Sequence, residues 1–469
     1  FVHSTYKRSK LQLSGRLTNS MRLNSAQLND LAANEADRYR NMIPTSIALR
    51  NRAEKSQPNA VPMAWMSGLY EHQPMYVSHG KGAIFYDVDG NRYIDMNQAD
   101  VAATLGFANE VINQALVSQS KNGASFLLPS EDSIIVSELL AERSGLPFWQ
   151  FTGSASNSNT EVIRLSRVAT GRKNIVMFDG KYHGHIDDTL VTYIDGENVP
   201  EGIGLMDGVI NQVKIIPFND IDALEKALSK QDVACVLAEP MLTNTNIVFP
   251  DERFWGLVRN MTSATGTLLA IDEAHTYTFA YGGLANAWSI NPDFQTLGKG
   301  LGSGFPFGAY GMTNAIASIA EKYLDRDREG GAGLMVGGTT YASHLCMAVA
   351  RAAIETCLTK DTYGRLDNLG KRLSDGLNIL FRQNSLDWRA PYIGGRSGWI
   401  LDSKLPRNAS EAKQSLNKAF IKARRLFMLN RGIWEAISSS GPSVSFSHSI
   451  TEVDEYLSVS ESFINKIIV

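Results

Sequence analysis

An α/β fold, built on a largely parallel sheet covered by helices on both faces, is predicted by two features of the chain. Between about residues 97 and 341, short continuous apolar runs alternate with helical stretches. Strands buried on both faces read this way, because neither face needs polar side chains. Most of these runs also end in a cluster of glycine, hydroxyl or charged residues, and open α/β sheets bind ligands beyond the carboxyl ends of their strands.

Taken in order, Leu28, Leu31 and Ala32 fall at helical spacing and predict one helix over about residues 25–54. A loop follows around Pro58 and Pro62, then the apolar patch Met63, Ala64, Trp65 and Met66. Residues 83–95 read as a hairpin, with Asp89-Gly90 supplying the positive-φ turn between apolar strands. The buried runs are residues 149–152, 175–178, 213–216, 234–237 and 268–271, with helical patterns over 160–170 and 221–229 between some of them. Beyond about Ser343 the pattern is helical to Cys357 and over 366–382, then mixed to the end. No repeat or low-complexity linker divides the chain.

Composition narrows the function. Among 469 residues, 45 Lys+Arg stand against 48 Asp+Glu, a net charge of −3, so there is no electrostatic reason to expect nucleic acid. No stretch approaches the roughly 18 apolar residues of a membrane helix. Cys235, Cys346 and Cys357 form no CxxC or zinc spacing, and the 8 histidines include no HExxH, so no protein-held metal is expected. A reducing, cytoplasmic setting is expected. The basic, acid-free start before Asp30 fits either an organelle address or an arm laid on a partner subunit.

Four strand ends carry candidate chemistry. After residues 149–152 comes Gly153-Ser-Ala-Ser-Asn157, a helix N-terminus able to take an anion such as phosphate or simply to be capped by its own side chains. After 175–178, Tyr182 and His183 are placed either to cover a flat ring or to pack as ordinary residues. Asp272 and Glu273 follow the buried run 268–271, and a carboxylate there requires a partner. That partner is either an Arg or helix cap, or a protonated heteroaromatic nitrogen. Finally Lys299 stands between glycines in Leu297-Gly-Lys-Gly-Leu-Gly302, where the backbone can approach a ligand and an amine can be tuned for Schiff-base chemistry.

With those motifs in this order, and with Ala238-Glu-Pro240 and Gly337-Gly-Thr-Thr-Tyr341, the chain from about Pro58 onward resembles the class III aminotransferases of pyridoxal-phosphate (PLP) fold type I. It is most similar to their glutamate-1-semialdehyde aminomutase-like branch. The resemblance implies a large domain with a mostly parallel seven-stranded sheet (97–343). A small α/β domain would come from both termini (56–96 and 344–469), preceded by an arm and helix (1–55). It implies that Lys299 holds PLP as a Schiff base and then shuttles a proton, while Asp272 pairs with the ring nitrogen. Ser154, Ala155 and Ser156 would receive the phosphate, Tyr182 would stack on the ring, and His183, Glu239 and His275 would lie around it. Thr340 would reach the phosphate of a neighbouring subunit, so a homodimer is expected.

The chain departs from the family pattern in several places. The usual Ser-Gly-Thr-Glu is Ser154-Ala155-Ser156-Asn157, and the usual Val after Asp272-Glu273 is Ala274, followed by His275, which changes the expected contacts at the cofactor's edge. The gateway carboxylate position holds Asn244, and the region of Ser443–Ser447 offers no arginine. These departures predict an apolar pocket lined by Met63, Trp65, Met66 and Tyr182, with Arg396 as the alternative carboxylate binder. The expected reaction is ping-pong transfer between an amine or amino acid and a keto acid or ketone. Intramolecular amino transfer is the alternative, and a non-catalytic binding protein the second alternative.

Overall fold

The computed structural model describes residues 23–68, 74–194, 196–206, 208–324, 333–435 and 441–468. The basic N-terminal segment therefore lies almost entirely outside the described residues. In chain order the strands are β1 (Val77–Lys81), β2 (Ile84–Asp87), β3 (Arg92–Asp95), β4 (Phe148–Thr152), β5 (Asn174–Phe178), β6 (Val191–Ile194), β7 (Glu197–Pro200), β8 (Val213–Ile216), β9 (Val233–Ala238), β10 (Leu268–Asp272), β11 (Phe294–Leu297), β12 (Gly308–Met312), β13 (Tyr392–Ile393), β14 (Arg396–Ser397) and β15 (Ile433–Trp434).

Seven of them form the main sheet in the order β4-β12-β11-β10-β9-β5-β8. The pairs from β11 through β8 are parallel, and β12 alone runs against its neighbours β11 and β4. Alternation along β5 shows why both faces are covered. Val176 and Phe178 pack with Leu224, Leu228, Phe254 and Val258 of the helices Ile221–Leu228 and Phe254–Thr265. Ile175 and Met177 pack with Val162, Ile163 and Ile316 of the helices Ala155–Thr170 and Asn314–Leu324. Each such fully buried aliphatic side chain is worth about 1.5–3 kcal/mol.

Strands β11 and β12 escape the apolar-run reading of the sequence. In β12 the cause is close approach: a Cβ on Gly311 would lie 2.5 Å from the Trp149 ring, and one on Gly308 only 2.3 Å from Thr152 Oγ1. Glycine at these positions dilutes the hydrophobic signal that marks a strand.

A four-stranded sheet, β1-β2-β3-β15, joins residues 77–95 to 433–434, with β15 parallel to β3. The Asp89-Gly90 hairpin links β2 and β3, and Asp87 Oδ1 accepts from the Asp89 and Asn91 N–H groups at 3.0 and 2.8 Å. The single helix predicted over residues 25–54 is in fact two, Ser25–Met42 and Pro44–Ala53. Pro44 has no N–H to donate and its ring excludes the preceding helical turn, so the chain breaks at Ile43. Cys235 is buried, Cys346 and Cys357 are partly buried, and all are free thiols. Among the described residues no helix is long and apolar enough to cross a membrane, and no cluster of three His, Cys, Asp or Glu could hold a metal.

Candidate active site

The carboxyl ends of β4, β5, β9, β10 and β11 converge on one cavity of about 770 Å³. At the end of β4, Ser154 caps the helix Ala155–Thr170: its Oγ accepts from the Asn157 N–H at 3.3 Å and donates to Asn157 Oδ1 at 2.8 Å. The N–H groups of Ala155 and Ser156 precede any intrahelical acceptor and carry the positive end of the helix dipole. Both residues line the cavity. The loop after β5 is pressed against this turn. Gly184 has φ +96°, a Cβ there would come 2.1 Å from Ser156 Oγ, and the His185 N–H donates to that hydroxyl at 3.2 Å.

Asp272, at the end of β10, is a buried carboxylate held by three partners. Its Oδ2 lies 2.9 Å from His183 Nδ1 and accepts from Asn159 Nδ2 at 2.7 Å, and its Oδ1 accepts from the Ala274 N–H at 3.0 Å. Burial by itself would raise this carboxyl, but the His183 hydrogen bond and charge, the Ala274 N–H and Asn159 together hold it below the usual range. Asn159 also donates to the His183 carbonyl at 3.0 Å and accepts from Thr296 Oγ1 at 2.8 Å, so it fixes three elements around the acid. His183 Nε2 is buried without a partner. Glu273, the next residue, points away from this chemistry and accepts from Leu284 N, Ala285 N, Gln295 Nε2 and Thr276 Oγ1.

Lys299 follows β11 with φ +42°, between Gly298 and Gly300. A Cβ on Gly300 would meet Thr278 at 2.7 Å and Thr104 at 2.8 Å, so this turn is clamped from both sides. The Lys299 Nζ touches Asp100 and lies 2.6 Å from His275 Nε2. His275 Nδ1 is 2.7 Å from Thr243 Oγ1, which donates to the Glu239 carboxylate, and Glu239 Oε1 accepts from the Tyr182 N–H at 3.2 Å. A continuous hydrogen-bonded chain thus runs from Lys299 to the end of β9.

Asp100 was not among the residues singled out from the sequence. It belongs to a run of four successive non-glycine residues, Gln98–Val101, with φ of 57°, 49°, 57° and 59°. Left-handed backbone costs about 1–2 kcal/mol per residue. Asp95 Oδ1 stabilises the turn by accepting from the Asn97 and Gln98 N–H groups at 2.9 and 2.8 Å. Burial would raise the Asp100 carboxyl, yet His275 and Lys299 outweigh it and hold it well below the ordinary value.

Ser154, Ala155, Ser156, Tyr182, His183, Glu239, Asp272, His275 and Lys299 all line the cavity. Met63 and Trp65 do so from exposed positions, 46% and 55% accessible. Met66, on the same short turn Ala64–Gly68, does not. Charged groups stand beside these apolar side chains: Asp100, Asp179, Glu201, Glu239 and Asp272 share the wall with Lys181, Lys299, Lys413 and Arg425. Arg396 is not on the wall either. Its guanidinium is buried and donates to the Thr243 carbonyl at 2.6 Å, with burial pulling its pKa down to about 10. Thr340 lies outside this cavity on an exposed segment. Asp100, Asn159 and Thr243 are the members missed from the sequence.

The model of the class III aminotransferase family matches residues 66–390. The chain belongs to that family. This class III enzyme is 32% identical over 401 residues to a glutamate-1-semialdehyde 2,1-aminomutase of Persephonella marina, covering 83% of this chain and 91% of the relative. A second aminomutase, from Francisella philomiragia, is 28% identical over 86% of this chain and 93% of its own length. Among solved structures, a glutamate-1-semialdehyde aminomutase from Pseudomonas aeruginosa PAO1 superposes with a TM-score of 0.90 at 31% identity, covering 95% of this chain and 99% of that one. An omega-transaminase from Sphaerobacter thermophilus gives 0.82 at 27% identity, covering 90% and 97%.

The class III enzyme is PLP-dependent, and its donors suit that cofactor. The helix N-terminus offers two uncommitted N–H groups to a phosphate. A buried, ionised Asp272 with a defined orientation suits a protonated ring nitrogen, and the Lys299 amine lies in the same cavity. The close glycine approaches at Gly184 and Gly298 leave no side chain in the cradle.

Proposed function

We propose that this class III enzyme moves an amino group between neighbouring carbons of one small substrate, as glutamate-1-semialdehyde aminomutases do. The observation that carries this reading is the likeness to the P. aeruginosa aminomutase, TM-score 0.90 over 95% of this chain. Ping-pong transfer between an amine and a separate keto compound is the second reading, supported by the likeness to the Sphaerobacter omega-transaminase.

On either reading PLP, when bound, supplies an electron sink conjugated to the reacting carbon. The protein's part is to bind, orient and manage protons. Ala155 and Ser156 N–H groups and the Ser154 hydroxyl would hold the phosphate, and Asp272, oriented by His183 and Asn159, the ring nitrogen. Tyr182 would cover a ring face. Lys299 would anchor the cofactor and carry the proton at the substrate carbon, with His275, Thr243 and Glu239 as the hydrogen-bonded chain behind it. Thr340 would complete the phosphate site of a second copy in a homodimer.

The test is incubation of the holoenzyme with glutamate 1-semialdehyde and no carbonyl acceptor. Formation of the isomer with nitrogen on carbon 1 supports the leading reading. If no isomer forms, but a panel of amines and amino acids converts the bound cofactor and releases ketones or aldehydes, the second reading replaces it. Light scattering coupled to gel filtration tests the homodimer, and a monomer mass for active enzyme would exclude the Thr340 role.

A further inference from the structure

The cofactor needs an anchoring lysine, an acid at its ring nitrogen and a phosphate cradle, and Lys299, Asp272 and the Ser154 turn already supply these. Asp100 is a further carboxylate at the reacting end of the cavity. Four successive left-handed residues place it there, against Lys299 Nζ and 3.2 Å from His275 Nε2.

The other acids on the wall are committed elsewhere. Asp272 is held by His183 and Asn159, and Glu239 by Thr243 and the Tyr182 N–H. Glu201 pairs with Lys181, and Asp179 lies 3.6 Å from Lys413. Behind the wall, Arg396 is directed to the Thr243 carbonyl. The Arg396 charge reaches Asp100 and Glu239 through the wall, but only Asp100 among these acids is in direct contact with the very amine that the chemistry consumes. When Lys299 acts as an amine rather than as an ammonium, a side chain about a quarter accessible to the cavity is left facing the substrate beside His275.

We infer that Asp100 is a specificity-determining residue that receives an ammonium group on the substrate carbon next to the reacting one and rejects a carboxylate at that place. The site thus favours vicinal diamino species over α-amino acids. The inference rests on the amino-group chemistry proposed above. It deepens the intramolecular reading, because moving nitrogen between adjacent carbons without an outside acceptor passes through a species with nitrogen on both. An ammonium a hydrogen bond's length from the reacting nitrogen would occupy the position that Lys299 Nζ now holds, whereas a carboxylate there would face like charge.

Two measurements on the full-length protein test it. In the first, cofactor-free Lys299→Ala is titrated calorimetrically with ethylammonium, with propan-1-ol as the neutral control. The expected result is ethylammonium binding at least tenfold tighter than in Lys299→Ala/Asp100→Asn. Equal binding in the two proteins overturns the inference. Asparagine tolerates left-handed backbone at least as well as aspartate, and circular dichroism of both proteins checks that the fold is kept.

In the second, the PLP-loaded wild type and Asp100→Asn are titrated with 1,2-diaminopropane, 1-aminopropane and alanine, and the visible spectrum of the bound cofactor is followed. Wild type should prefer the diamine over the other two by at least tenfold, and Asp100→Asn should lose that preference. A preference unchanged by Asp100→Asn overturns the inference. Ethylammonium binding that depends on Asp100, with no spectral response to any amine in wild type, would leave Asp100 as an ammonium site and remove the proposed reaction instead.

Discussion

Replacing Asn159 by leucine, which keeps the branching of the side chain but puts methyls in place of the amide atoms, should cost about 4 kcal/mol of stability and weaken cofactor binding at acid pH. Asn159 is fully buried and makes three hydrogen bonds: to Asp272 Oδ2 at 2.7 Å, to the His183 carbonyl at 3.0 Å, and from Thr296 Oγ1 at 2.8 Å. After the change the His183 carbonyl loses its donor, the buried Thr296 hydroxyl loses its acceptor, and Asp272 keeps only His183 and the Ala274 N–H. A buried polar group left unsatisfied costs about 1–3 kcal/mol, so two such groups and a weakened third give that figure. The sign of the pH effect follows from Asp272. Its carboxyl is held below the usual range, partly by Asn159, so losing that donor raises it towards ordinary values and it protonates at higher pH. A neutral Asp272 cannot balance a protonated ring nitrogen. Urea unfolding of the cofactor-free protein measures the stability loss, and PLP titrations between pH 5 and 8 measure the affinity. A loss under about 1 kcal/mol, with an unshifted pH dependence of PLP affinity, would refute the argument that Asn159 holds the acid in place.

Lys299→Ala should abolish the borohydride-fixed cofactor adduct seen by mass spectrometry. It should lower turnover by at least about 10²–10⁴-fold, the range of a lost proton-transfer group. Gly308→Ala, whose Cβ would lie 2.3 Å from Thr152 Oγ1 and 2.4 Å from the Ser154 backbone, should destabilise the protein by about 1–3 kcal/mol, read by thermal unfolding, and loosen the phosphate turn. His448 is buried, and its Nδ1 accepts from the Ser445 N–H at 2.9 Å. Burial lowers its pKa from 6.5 to about 4. The unfolded chain therefore takes up this proton first, and as pH falls from 6.5 towards 4 the fold should lose up to about 3 kcal/mol from this group. In His448→Asn that part of the slope should vanish from unfolding curves collected across the range.

The local parts of this enzyme were legible in its sequence. Five of the seven main-sheet strands announce themselves as apolar runs because both of their faces are buried. Lys299, Asp272 and the Ser154 turn stand directly after strand ends, where backbone geometry requires glycines and small caps. The break at Pro44 is equally local, because a proline inside a helical pattern ends the helix that precedes it. β12 was hidden because its glycines answer to Trp149 and the Ser154 backbone, which lie on β4 and in the turn after it, far away in the chain.

Asp100 reaches Lys299 across 199 positions and Asn159 reaches Asp272 across 113, and neither stands in a recognisable motif. A carboxylate's partner is set by which ends of which strands the fold brings together, and periodicity carries no record of that. The same holds for Arg396: its sequence position allowed a carboxylate binder, but packing buried it against the Thr243 carbonyl. The sequence alone determined the five apolar strands, the glycine- and hydroxyl-rich turns that follow them and Lys299 between its glycines, because each depends on neighbours along the chain. Only the tertiary structure decided the charge pattern around that lysine, because that pattern depends on contacts between distant segments.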